Sequence, residues 1–237
     1  MKRVLFLSCG APDAPILERF GPFQRWFEAA MGPSVRVHGV DVRTEPLPTS
    51  LLDAADFAVI SGSAHSAYEQ VPWITRLEAL VREAVYVREL PLLGVCFGHQ
   101  VLARACGGTV VRNPRGREIG TVEIEVLPEG RERGLFVGLS DRFAIQVTHS
   151  DTVSVPPPGA SVLARSALDD CQAFLLGTAW GVQFHPEVTA EVIHAYLEHR
   201  RAVITSEGLD VDALSAKVRE STAGRTIFAN FLARRTT

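Results

Sequence analysis

The stretch Gly94-Val95-Cys96-Phe97-Gly98-His99-Gln100 restricts the fold more than any other. An apolar run from Leu92 to Val95 reads as a buried strand, and Val101-Leu102-Ala103-Arg104-Ala105-Cys106 continues with helical character until Gly107-Gly108 stops it. Cys96 therefore sits on the turn from strand to helix. So sharp a turn leaves little room for a Cβ on either side, which suits Gly94 and Gly98 and defines a nucleophile elbow. It holds the thiol at a helix N-terminus, where unpaired N–H groups and the helix dipole favour a thiolate and can hydrogen-bond an oxyanion. Free cysteine is also among the residues most often buried as a small hydrophobe, so the elbow alone leaves both readings open.

The flanking sequence sets the elbow in an α/β frame. Apolar runs at 3–8, 35–42 and 56–60 read as strands, and Phe23, Trp26, Phe27 and Ala30 recur on one face of a helix. A Pro-punctuated loop through Pro15 follows the first strand, and a helix over 72–88 leads back to the strand before Cys96. Strands alternating with helices imply right-handed crossovers and a mostly parallel sheet. After Gly107-Gly108 come short strands at 109–112, 120–127, 143–147, 161–165, 172–176 and 180–184, and then two closing helices at 189–204 and 210–232. The expectation is an α/β fold over residues 1–237 as a single domain. Its mostly parallel central sheet is flanked by helices and carries a small antiparallel β addition.

Composition narrows the chemistry. A net charge of -3 gives no basic field, and no Lys/Arg cluster alternates with aromatics, so no nucleic-acid partner is expected. Cys9, Cys96, Cys106 and Cys171 form no C-x-x-C pair, which argues against a disulfide framework or zinc site and for a reduced, cytoplasmic setting. The apolar run after Met1-Lys2-Arg3 is shorter than the roughly 7–15 residues of an export segment, and none approaches the roughly 18 of a membrane span. No metal-ligand spacing or phosphate-binding glycine loop is present, so neither metal nor organic cofactor is expected.

The second chemical stretch is Gly181-Val182-Gln183-Phe184-His185-Pro186-Glu187. In an extended segment residues i and i+2 point the same way, so the Glu187 carboxylate can orient the His185 ring and stabilise its protonated form. A nucleophile, a base and a group that orients the base make a triad irrespective of sequence order. Cys96, His185 and Glu187 supply all three.

These two stretches, with Ile60-Ser61-Gly62-Ser63, Arg112-Asn113-Pro114, Glu118-Ile119-Gly120, His149-Ser150-Asp151 and Thr226-Ile227-Phe228-Ala229-Asn230-Phe231, resemble the class I (triad) glutamine amidotransferases, a flavodoxin-like α/β fold. The free-standing members similar to GMP synthase are nearest in kind. The resemblance implies that Cys96 attacks the γ-carbonyl of glutamine to form a γ-glutamyl thioester, with His185 protonating the leaving ammonia and then activating water. It places Gly62 and Phe97 in the oxyanion hole, Gln100 against the bound glutamine, and the backbone of His149 and Ser150 at its α-amino and carboxylate groups. A second cysteine-elbow family puts a histidine directly after the nucleophile, where Phe97 stands here.

Other polar residues invite weaker roles. His99 can buttress the turn or touch substrate, His149 with Asp151 mimics a histidine–carboxylate pair, His65 and Tyr68 can form the pocket mouth, and Cys9 ends a strand on the edge where α/β ligands bind. Cys106, Cys171, Trp26, Trp73 and Trp180 read as packing. Family members that pass ammonia to a synthetase carry or bind that domain. Here the residues after Glu187 suffice only for two helices, so the chain is expected to work with a separate synthetase subunit as ammonia acceptor, to act as a simple glutaminase, or to process another γ-glutamyl compound. The alternatives are a γ-glutamyl peptidase acting on glutathione-like compounds, or a silent regulatory or binding module.

Overall fold

The computed structural model describes residues 1–131 and 134–234. Strand β1 (Lys2–Ser8) shows why a sheet forms here: Val4 and Phe6 face one core, while Leu5 and Leu7 face the other. Both faces are covered, as parallel sheets require. After β1 come α1 (Ala14–Phe20), α2 (Phe23–Met31), β2 (Val35–Asp41), β3 (Phe57–Ile60), α3 (Pro72–Arg82), β4 (Leu92–Val95) and α4 (Phe97–Ala105). The chain continues through β5 (Thr109–Arg112), β6 (Glu118–Val126), α5 (Pro128–Arg131), β7 (Arg142–His149), β8 (Asp151–Val155), β9 (Ser161–Arg165), β10 (Ala173–Leu176) and β11 (Ala179–Val182). It closes with α6 (Ala190–His199), α7 (Arg201–Ser206), α8 (Val211–Ser215) and α9 (Ala223–Leu232).

Among the described residues one nine-stranded sheet has the order β2-β1-β3-β4-β11-β10-β9-β6-β7, and β5 pairs β8 in a small antiparallel sheet. The ladder from β2 to β11 is parallel, and beyond β11 it continues antiparallel. The fold is thus a mixed α/β sheet, parallel across the strands around the elbow, with a small antiparallel sheet beside it. α3 and α4 cover one face through Leu77, Val101 and Phe97, and α2 and α9 the other through Phe27, Phe228 and Phe231. No helix among the described residues is long and apolar enough to cross a membrane.

Four local expectations change. α1 begins inside the loop expected through Pro15, because proline is tolerated in a helix's first turn, and Gly21 ends the helix at φ +80°. β8 was not expected; it pairs β5 rather than the main sheet. The helix expected at 189–204 breaks at Arg200, and α7 runs on to Ser206. The helix expected at 210–232 is interrupted between α8 and α9, where long-range bonds outcompete local propensity. Gln146 Nε2 donates to Arg219 O at 2.8 Å and Ser221 Oγ to Ala144 O at 2.6 Å.

Candidate active site

β4 is wholly buried and turns into α4 within one residue. Cys96 takes that turn at φ +53° and ψ −104°, a left-handed conformation that costs a residue with a Cβ about 1–3 kcal/mol. The surroundings hold it there: its N–H donates to Val182 O at 2.8 Å, and its carbonyl accepts from Gln100 N at 3.1 Å. Gly94 and Gly98 are required by close approach. A Cβ on Gly94 would lie 2.4 Å from Gly98 O, and one on Gly98 would lie 2.4 Å from Ile60 O. The thiol is 7% exposed, with Thr148 O 3.9 Å away.

β11 pairs with β4, placing Val182 opposite Val95, and so brings the chain after β11 to the elbow. His185 N–H donates to Gln146 O at 2.8 Å, fixing the backbone. The ring Nδ1 meets Glu187 Oε1 at 2.7 Å with both side chains buried. The pair forms as expected by residue, but differently in geometry. The strand stops at Val182, and Pro186-Glu187 lie in a turn whose Val188 N–H donates to His185 O at 3.4 Å, so the carboxylate reaches the ring by turning back.

Burial opposes the charged ring. The charges of Glu187 and Cys96, with the hydrogen bond to Glu187, outweigh it and push the His185 pKa up to about 10. Nε2 makes no hydrogen bond among the described residues. The imidazolium and the stability it contributes are complete below the ordinary histidine value near 6.5 and fade as pH climbs through about 10. The alkaline limb of a kcat/KM profile should therefore fall near pH 10. Glu187→Gln should move that limb to lower pH and cut kcat roughly 10²–10⁴-fold; an unmoved limb would remove Glu187 from the electrostatics of the ring.

Gly62 follows β3 and faces the same point: a Cβ there would lie 3.3 Å from His185 Cε1 and 3.9 Å from Cys96 Cβ. Phe97 is the first residue of α4, so its N–H has no intrahelical acceptor. The loop is tied to β1, since Ser61 Oγ accepts from Cys9 N at 2.9 Å and donates to Gly62 O at 2.9 Å. Cys9 therefore contributes its backbone. Its thiol is fully buried and pushed up by burial.

A cleft of about 340 Å³ adjoins Cys96, lined among others by Phe97, Gln100, His149, Ser150 and Asp151. Gln100 lines it but is 4% exposed, and its Nε2 already donates to Gln183 Oε1 at 3.0 Å and to Asp151 O at 3.3 Å. The His149 ring points inward. Nδ1 meets Asp151 O at 3.0 Å and Nε2 meets Glu118 Oε2 at 3.0 Å, two acceptors that call for a proton on each nitrogen. Burial opposes that charge, but Glu118 and Asp169 raise the His149 pKa overall. His149 is thus a strut beneath the cleft wall, and it forms no pair with the Asp151 side chain.

The Asp151 carboxylate faces the cleft instead, accepting from Ser66 Oγ at 2.7 Å and Tyr68 OH at 3.3 Å. A buried acceptor there suits a substrate ammonium. Its position in His149-Ser150-Asp151 was the available signal, and the lining or structural role expected for His149 is the one its ring takes. His65 lines the cleft and binds Glu69 at 2.7 Å. His99 is completely buried against Phe174 and held neutral, its pKa lowered to about 3 by burial. Cys106, Cys171 and the three tryptophans are buried. Among the described residues no His/Cys/Asp/Glu group is placed to hold a metal ion.

Residues 28–205 match the family model of class-I glutamine amidotransferases. The chain belongs to that family. It is 34% identical over 161 residues to one of the subunits of the glutamine-hydrolysing GMP synthase of Saccharolobus solfataricus, covering 65% of this chain and 80% of that one. It is 33% identical over 146 residues to γ-glutamyl peptidase 3 of Arabidopsis thaliana, covering 60% and 58%. Against the GMP synthase of Aeropyrum pernix the chain spans only 30% of the relative's length. A glutamine amidotransferase from Thermotoga maritima superposes with a TM-score of 0.74 over 98% of this chain and 99% of that one; at 24% identity this likeness carries the fold. In this family member the buried His185–Glu187 pair lies beside a strained cysteine elbow.

Proposed function

We propose that this chain hydrolyses the γ-amide of glutamine through Cys96 and delivers ammonia to a separate synthetase subunit. The observation that carries the reading is the hydrogen-bonded His185–Glu187 pair, with Gly62 directly over Cys96 and the Phe97 N–H at the start of α4. The Cys96 sulfur attacks the γ-carbonyl carbon, and the Phe97 and Gly62 N–H groups hold the oxyanion. The carbon–nitrogen bond then breaks as His185 Nε2 passes its proton to the leaving ammonia. The imidazole next takes a proton from water, which attacks the thioester and frees glutamate and the thiolate. The Asp151 carboxylate holds the substrate ammonium.

The partner is proposed because a relative of comparable size bears the name of a subunit. Four free cysteines suit a reducing cytoplasm. The second reading, a γ-glutamyl peptidase, draws on the likeness to γ-glutamyl peptidase 3. Labelling with 6-diazo-5-oxo-norleucine tests the site. A single adduct at Cys96, absent from Cys96→Ser and suppressed by glutamine, is the expected mass spectrum. No adduct would favour a silent binding module.

A further inference from the structure

Two adjoining spaces meet at the sulfur and share Ser63, Ala64, Thr148 and Arg200. The 340 Å³ cleft takes in Cys96 and Asp151 but not His185, whereas a second, much smaller chamber takes in Cys96, Gly62 and His185. A γ-glutamyl group whose ammonium meets Asp151 lies in the large cleft. The atom that leaves must lie where His185 can protonate it, in the small chamber. That chamber measures about 40 Å³. A water molecule occupies about 30 Å³ of liquid and a cavity needs about 10–15 Å³ to hold one, so ammonia fits and an amino acid does not.

One ion pair stands where the two spaces meet: Arg200 lines both of them, and Asp13 lines only the smaller. Asp13 stands at the N-cap of α1 but makes no side-chain cap bond, although aspartate is among the best capping residues. Its Oδ2 instead accepts from Arg200 Nε at 2.8 Å, with His199 Nε2 at 3.5 Å. Arg200 sits at the α6–α7 break and lays its guanidinium over the Tyr196 ring, 4.8 Å from the centroid. Asp13, Tyr196 and Arg200 all line the small chamber. The two charged side chains are about a quarter exposed, so the pair is screened and separable.

We infer that the Asp13–Arg200 pair is a specificity latch that shuts the leaving-group chamber beside Cys96, restricting the site to primary γ-amides and excluding γ-glutamyl peptides. This rests on the γ-glutamyl hydrolase reading above and names its substrate class.

The test compares kcat/KM for glutamine and for γ-glutamylalanine in the wild type, Asp13→Asn and Arg200→Ala. The wild type should prefer glutamine by about 100-fold or more, and each variant should narrow that preference by about 10-fold. Asp13→Asn preserves shape and removes the charge at the opposite end of the pair, so the result does not hinge on the folding of Arg200→Ala. A wild type that cleaves γ-glutamylalanine as readily as glutamine overturns the latch, as does a preference unchanged in the folded variants. Labelling by 6-diazo-5-oxo-norleucine runs alongside: an adduct with unchanged preference sinks the latch alone, whereas no adduct and no turnover of either substrate sinks the hydrolase reading with it.

Discussion

Cys96→Ser should lower the rate of ammonia release from glutamine by about 10⁵-fold or more while leaving the circular dichroism spectrum unchanged. The loss is expected because the His185 environment is built for an anion at that position. The charge of Glu187 holds the ring protonated despite burial, and a hydroxyl is a far weaker nucleophile than a thiol beside that ring. Sulfur to oxygen hardly changes packing, so stability and chemistry separate cleanly. A serine variant within tenfold of wild type, in an assay free of contaminating glutaminase, would mean that Cys96 is not the nucleophile.

Gly94→Ala should be the most damaging single-methyl change in the elbow. The new Cβ would lie 2.4 Å from Gly98 O, 2.5 Å from Gly98 C and 2.8 Å from His99 N, all backbone atoms of α4 that cannot rotate away. Relief requires moving the helix off β4, and Gly98 is itself pressed against Ile60 O, which prevents a shift toward β3. Overpacking of this kind costs about 3 kcal/mol or more, which for a domain of this size is a fall in Tm of about 6–12 °C. Calorimetry reads it directly, and an unchanged Tm would show that the elbow has slack.

The elbow was legible in the sequence because its cause is local. A strand, two glycines and a helix within a few residues admit one geometry, and the steric contacts at Gly94 and Gly98 supply the reason. His185 and Glu187 were legible as a pair, although a turn brings them together and no strand does. What could not be read depends on distant partners. The chain between α8 and α9 is held open by Gln146 and Ala144 of β7, which no local propensity reveals. The inward aim of His149 depends on Glu118 from β6. Asp13 looks like a helix cap, and its bond to Arg200 appears only once α1 and α6 are side by side.

The central pairing of the sheet also bears on how the molecule is made. β4 and β11 are adjacent strands, yet everything from β5 to β10 is inserted between them along the chain. A ribosome extruding this polypeptide releases the thiol of Cys96 long before the imidazole of His185. The half-made chain therefore carries an unarmed cysteine, and non-local pairing of this kind is slow to form. On the proposed mechanism Cys96 gains its base only when β11 pairs with β4, so nascent fragments ending before β11 should be inert toward γ-glutamyl compounds throughout synthesis.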